Sequence, residues 1–91
     1  MLHIVKHYRS LSDAIATALE GDELLLVEDA VYAALNEHKA NIELAATSKP
    51  VYCLIADVNA RGLTLDPSNL MVDFSGFVAL TEKHSSSITW E

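Results

Sequence analysis

Apolar residues along this chain fall into two alternating rhythms. Short, nearly unbroken runs stand at Leu2 to Val5, Leu24 to Val27 and Val51 to Ile55. Unbroken apolar centres mark strands covered on both faces, as in a parallel sheet. Between the first two runs, Leu11, Ala14, Ile15, Ala18 and Leu19 recur at i, i+3, i+4, i+7 and i+8, one face of an amphipathic helix. Ser10-Leu11-Ser12-Asp13 predicts a capping box at its start, and Gly21 a left-handed residue at its end. The second strand is expected over Glu23 to Glu28 and hands over at once to a helix over Ala30 to Leu35, with Asp29 as its cap. A further helix over Lys39 to Ala46 is expected to turn Ile42, Ala45 and Ala46 inward. One helical turn, Asp57 to Arg61, closes on Gly62.

The second half repeats the scheme. Asp66-Pro67-Ser68-Asn69 reads as a turn, and Leu70 to Val72 as the fourth strand. Asp73 or Ser75 then caps a helix that carries Phe74, Phe77, Val78 and Thr81 on one face, and Ile88-Thr89-Trp90 makes a short last strand. Strand and helix alternate throughout, which predicts an α/β fold in three α/β/α layers, with a small, mainly parallel sheet of four to five strands. With 91 residues, positions 1–91 form one domain.

Composition adds three constraints. Hydrophobic residues make up 51% of the chain and mean hydropathy is +0.21, more apolar surface than so small an interior holds. The excess predicts burial against another chain. The 13 acidic and 6 basic residues give a net charge of −7. The six cations are scattered, which argues against direct nucleic-acid binding. No run approaches the roughly 20 apolar residues that span a bilayer, and Met1 to Ser10 lacks the apolar core of a signal peptide, so the expected location is the cytoplasm.

Glu28 and Asp29 stand where ligands bind in open α/β sheets, but neighbouring strand residues point to opposite faces and do not converge as an acid/base pair. Asp57 and Asp73 end the next two strands, so the four carboxylates form one conceivable acidic rim for a divalent cation; caps in successive turns account for each of them singly. Cys53, the single cysteine, lies mid-strand between Tyr52 and Leu54. There it reads as a small buried hydrophobe rather than a nucleophile. His3 and His7 straddle a strand and its exit, while His38 and His84 lie near helix ends, so no metal site converges from them. Gly21, Gly62 and Gly76 write no phosphate loop. The residues therefore point to no catalytic, cofactor-binding or metal-binding site. They describe a non-catalytic subunit.

The phrases GDELLLVEDAVYAAL, VYCLIADVNARGL and FSGFVALTEKHSSSITW resemble the TusB/DsrH family, the smallest members of the DsrE-like superfamily. Leu2-His3, Gly21-Asp22, Glu28-Asp29, Val31-Tyr32, Asp57, Ala60-Arg61-Gly62, Lys83-His84 and Trp90 carry the match, which runs almost the full chain. The resemblance implies a DsrE-like fold and a heterohexamer with TusC- and TusD-type paralogues. That complex passes persulfide sulfur toward 2-thiolation of a tRNA wobble uridine, with the working cysteine on the TusD-type partner. The alternatives are a DsrH-type subunit of a sulfur-oxidation complex and a sulfurtransferase using Cys53. Many DsrH proteins carry a cysteine in the first helix, where this chain reads Ser12-Asp13-Ala14-Ile15-Ala16-Thr17; that favours the tRNA branch. Expressed alone, the chain is expected to self-associate through its excess apolar surface.

Overall fold

A computed structural model describes the whole chain, Met1–Glu91. Its strands are β1 (Leu2–Val5), β2 (Glu23–Leu26), β3 (Val51–Leu54), β4 (Leu70–Val72) and β5 (Ser87–Trp90). They form one sheet in the order β4-β3-β2-β1-β5, parallel at every pairing. The helices are α1 (Leu11–Thr17), α2 (Asn41–Ala46), α3 (Ile55–Ala60) and α4 (Phe74–Lys83), with 3-10 segments at Tyr8–Ser10 and Glu28–Ala34.

The layering follows from crossover handedness. From β1 to β4 the chain steps in one direction across the sheet, and right-handed crossovers put the intervening helices on one face. From β4 to β5 it steps back past the other strands, so α4 belongs to the opposite face. The core divides accordingly. Val5, Leu24, Leu26 and Cys53 pack with Leu11, Ala14, Ala30, Val31 and Val58, whereas Leu2, Leu25 and Val27 pack with Leu80 of α4. One face thus has a deep cover and the other a single helix.

Local chemistry explains where the elements begin and where expectation fails. Asp73 caps α4 as predicted, its Oδ1 accepting from the Gly76 N–H at 2.8 Å. Gly76 also permits the tight β4-to-α4 corner, since a Cβ there would lie 2.8 Å from the Val72 Cβ. Ser10 precedes α1, but no capping box forms. Its own backbone is already helical, and its hydroxyl donates to the Glu91 carbonyl at 2.9 Å instead. The helix stops at Thr17 and Gly21 (φ +86°) serves the turn beyond it, leaving Leu19 exposed.

The segment after β2 departs further. It is a 3-10 helix beginning at Glu28, and its first turn has no side-chain cap from Asp29. Glu28 takes a left-handed φ of +50°, rare for a residue with a Cβ. The Asp57 carboxylate accepts its N–H at 2.7 Å, holding the backbone in that turn. Asp29 is drawn to Arg61, since a charge-assisted pair outweighs a neutral backbone cap.

One helix face is also corrected, and the shared face of α4 turns outward. In α2, Ile42 is 71% exposed and Ala45 and Ala46 face solvent; Leu44 packs on the core, and the Asn41 amide donates to the Ala33 carbonyl. In α4, Leu80 is the buried residue, Phe77 is half-buried, and Phe74, Val78 and Thr81 are exposed.

Candidate functional site

At the carboxyl ends of the strands, the acidic residues are each engaged. Arg61 reaches Asp29 Oδ1 through Nε at 3.0 Å and Nη2 at 2.9 Å, and its Nη1 donates to the Asp57 carbonyl at 3.3 Å. Its guanidinium lies 6.0 Å from the Tyr32 ring centroid. Glu28 stands at the strand-end surface, 3.7 Å from Lys6 Nζ, and Lys6 also donates to Glu91 at 3.3 Å. The hydrogen bond to Glu91, then the charge of Glu28, raise the Lys6 ammonium above its ordinary pKa. Asp73 stands apart as the α4 cap, so the four carboxylates do not form one rim. No group of three metal-ligating side chains converges anywhere in the chain.

The strand order reverses direction between β1 and β5, the topological switch where open α/β sheets bind ligands. There the surface has a hollow of about 190 Å³ lined by Lys6, His7, Arg9, Glu28, Asp29 and Glu91. Within it Lys6 pairs with Glu28 and Glu91, while Asp29 is held from outside by Arg61. The arrangement cross-links strand ends and offers no nucleophile.

The opposite, amino-terminal end of the sheet holds a denser network. Glu23 opens β2, is 5% exposed, and accepts from three donors: His84 Nε2 at 2.8 Å, Lys83 Nζ at 2.9 Å and Tyr52 Oη at 3.1 Å. Burial alone would raise its carboxyl, but the bonds from His84, Lys83 and Tyr52 outweigh burial and hold it below its ordinary value. In return Glu23 raises the Lys83 ammonium, and burial followed by the Glu23 bond raises the Tyr52 phenol.

Beside it, Asp22 accepts from the Leu19 N–H at 3.0 Å, from His3 Nε2 at 2.9 Å and from the Met1 ammonium at 2.9 Å. Those bonds, the Leu19 amide foremost, keep Asp22 far below the usual carboxylate range. His3 is 1% exposed, and its Nδ1 lies 3.1 Å from Trp90 Nε1. An indole N–H only donates, so Nδ1 accepts and the ring proton sits on Nε2, facing Asp22. A cleft of about 290 Å³ opens beside Asp22 and Glu23, rimmed by Glu20, Ser48, Lys49 and Lys83.

Cys53 lies on β3, 2% exposed within the larger core cluster. Burial pushes its thiol up to about 11. A group whose folded pKa exceeds its unfolded one keeps its proton in the folded chain and releases it on unfolding. At about pH 8.5, iodoacetamide should therefore label Cys53 only as fast as the chain opens, and urea should accelerate labelling steeply. Prompt alkylation of the native protein would contradict a buried, protonated thiol.

Sequence reasoning singled out the strand-end carboxylates and passed over Glu23, Tyr52 and the His3–Trp90 pair. A glutamate at the head of an apolar run was the one local signal for Glu23. The partners it meets lie as far as 61 residues away.

An α/β chain with an all-parallel five-stranded sheet, a sealed cysteine and polar side chains spent on cross-links defines a small three-layer domain. A family model described as "DsrH like protein" matches residues 6–87, and the chain belongs to that family. It is 41% identical over 95 aligned positions to "Protein TusB" of Escherichia coli (strain E24377A) and equally to that of Shigella boydii (strain CDC 3083-94), covering 99% of this chain and 100% of each relative. Its fold is that of the ychN protein from E. coli (TM-score 0.73, 22% identity, 98% of this chain and 97% of that one). Protein Tm0979 from Thermotoga maritima is similar as well (TM-score 0.66, 24% identity, 94% and 97%). No helix is long and apolar enough to cross a membrane.

Proposed function

We propose that this protein is a non-catalytic subunit of a cytoplasmic sulfur-relay complex that passes persulfide sulfur toward 2-thiolation of a tRNA wobble uridine. The observation that carries the reading is the full-length 41% identity to Protein TusB. The burial of Cys53 supports it: the chain's only thiol lies in the core, so a persulfide has no exposed sulfur here to ride on. The working cysteine then belongs to a TusD-type partner, and TusC- and TusD-type paralogues complete a heterohexamer.

An exposed apolar patch on the thinly covered face supports such a partner. Leu70, Phe74 and Val78 are all exposed there, on β4 and the first turns of α4. From Leu70 to Thr81 the sole charge is Asp73, engaged as the cap, in a chain where 21% of residues are charged. Depletion of charge with exposed aromatics marks the centre of an interface rather than a solvated helix. With a net charge of −7, a second copy is a poorer partner for this patch than a less acidic paralogue.

Co-expression of the tagged chain with TusC- and TusD-type proteins should yield a stable complex containing all three. Removal of the chain from a strain that has it should lower 2-thiouridine in tRNA, and Cys53→Ser should restore it fully. A chain that stays apart from both paralogues would end this reading, as would failure of Cys53→Ser to restore thiolation while the variant folds and assembles.

A further inference from the structure

Of the polar contacts around the sheet, the one between His3 and Trp90 is unlike the rest. It joins residues 87 apart and pins an edge strand. Strand β5 has a single neighbour, β1, and Ser87, Ile88 and Thr89 are all exposed. Its remaining ties at the two ends are the Leu2 N–H to the Ser86 carbonyl at 3.0 Å, the Lys6 N–H to the Trp90 carbonyl at 2.9 Å, the Ser10 hydroxyl to the Glu91 carbonyl at 2.9 Å, and the exposed Lys6–Glu91 pair. The Trp90 side chain is the strand's main purchase on the core. It packs against the larger cluster, with its ring system 6.2 Å from the His3 ring and nearly parallel to it.

The chemistry of that purchase depends on one proton. His3 Nδ1 holds Trp90 only while it is an acceptor. A proton added there sets two N–H donors against each other across 3.1 Å. The ring's other side does not oppose the change: Nε2–H still faces Asp22, which remains ionised because the Leu19 amide and the Met1 ammonium also stabilise its charge. The groups that face His3 are Asp22, the Met1 ammonium through Asp22, and the Trp90 indole. On the same face of the sheet, α1 contributes Leu11 and Ala14, β2 contributes Leu24, and the 3-10 turn contributes Tyr8. Protonation therefore strengthens the Asp22 side and breaks the Trp90 side.

We propose that the His3–Trp90 hydrogen bond is an acid-sensitive latch on β5, whose opening frees the edge strand while the rest of the sheet stays folded. Opening exposes the backbone donors and acceptors of β1, the kind of edge to which another strand can add. This inference does not depend on the proposed relay role.

Trp90 is the only tryptophan, so its fluorescence reports the latch directly. On taking the full chain from about pH 7.5 to about pH 5.5, the range in which imidazoles gain protons, acrylamide access to Trp90 should rise severalfold and its emission shift to the red. Far-UV circular dichroism should hold. His3→Gln supplies an N–H to Asp22 and a carbonyl to Trp90 without titrating, so its profile should be flat, whereas His84→Gln should keep the wild-type response. A flat wild-type profile, or a full response in His3→Gln, overturns the latch. If His3→Gln does not fold, NMR of the wild type decides: the Trp90 indole proton should exchange faster with the same midpoint as the His3 ring titration, and two unrelated midpoints refute the proposal.

Discussion

Glu23→Ala is expected to lower folding stability by about 2–3 kcal/mol, or the Tm by roughly 10–20 °C. The reason is the number of donors it leaves behind. The His84 ring is almost fully buried and the Tyr52 hydroxyl half-buried, and both lose their acceptor at once. An orphaned buried donor costs about 1–3 kcal/mol, while Lys83, mostly exposed, rehydrates freely. Against the roughly 5–14 kcal/mol typical of a chain this long, the loss is large.

Glu23→Gln separates charge from hydrogen bonding. The folded Glu23 carboxyl lies below its ordinary value of 4.5. Its contribution is therefore fully present above about that pH and is lost as pH falls through the folded value. Asp22 acts in the same sense. Denaturant midpoints measured from about pH 7 to about pH 3 should fall less steeply for Glu23→Gln than for the wild type. A Glu23→Ala protein that melts within about 2 °C of the wild type would show the network to be idle.

The second large effect concerns assembly. Phe74→Glu should weaken association with the paralogous partners by about 100-fold or more, enough to lose co-purification. Phe74 is 75% exposed and touches its own chain chiefly through Phe77, with ring centroids 6.2 Å apart. Burying most of a phenylalanine against a partner contributes about 2–3 kcal/mol, and a carboxylate placed there adds a desolvation cost. Because the side chain is outside the core, monomer stability should change by less than about 0.5 kcal/mol. A Phe74→Glu chain that still assembles would remove this face from consideration. One that unfolds would mean Phe74 is less exposed in solution than it is here.

Several features were legible from the sequence because each is settled within one segment. Apolar or β-forming runs marked each strand, the Asp73 cap and the Asp66 turn form as their spacing predicts, and continuous apolar strands required a parallel sheet with cover on both faces. Hydrogen bonds and side-chain periodicity inside a few residues decide these matters. The burial of Cys53 belongs here too, since a mid-strand thiol in a parallel sheet has no route to water.

Other features needed the tertiary structure. Asp29 has equal local reason to cap a helix or to seek a cation, and the choice fell to Arg61, 32 residues on, once α3 packed beside the 3-10 segment. Which side of α4 turns inward was decided by Leu2, Leu25 and Val27 on the sheet beneath it, and they took Leu80 rather than Phe74. The polar network depends on strand order alone. The return crossover sets β5 beside β1, bringing Trp90 to His3, while α4 ends over β2 and delivers Lys83 and His84 to Glu23. By itself the sequence determined which segments are strands and helices. The choice of partner for each polar side chain was made by the fold, because a hydrogen bond across 61 or 87 residues exists only when the topology has already closed that distance.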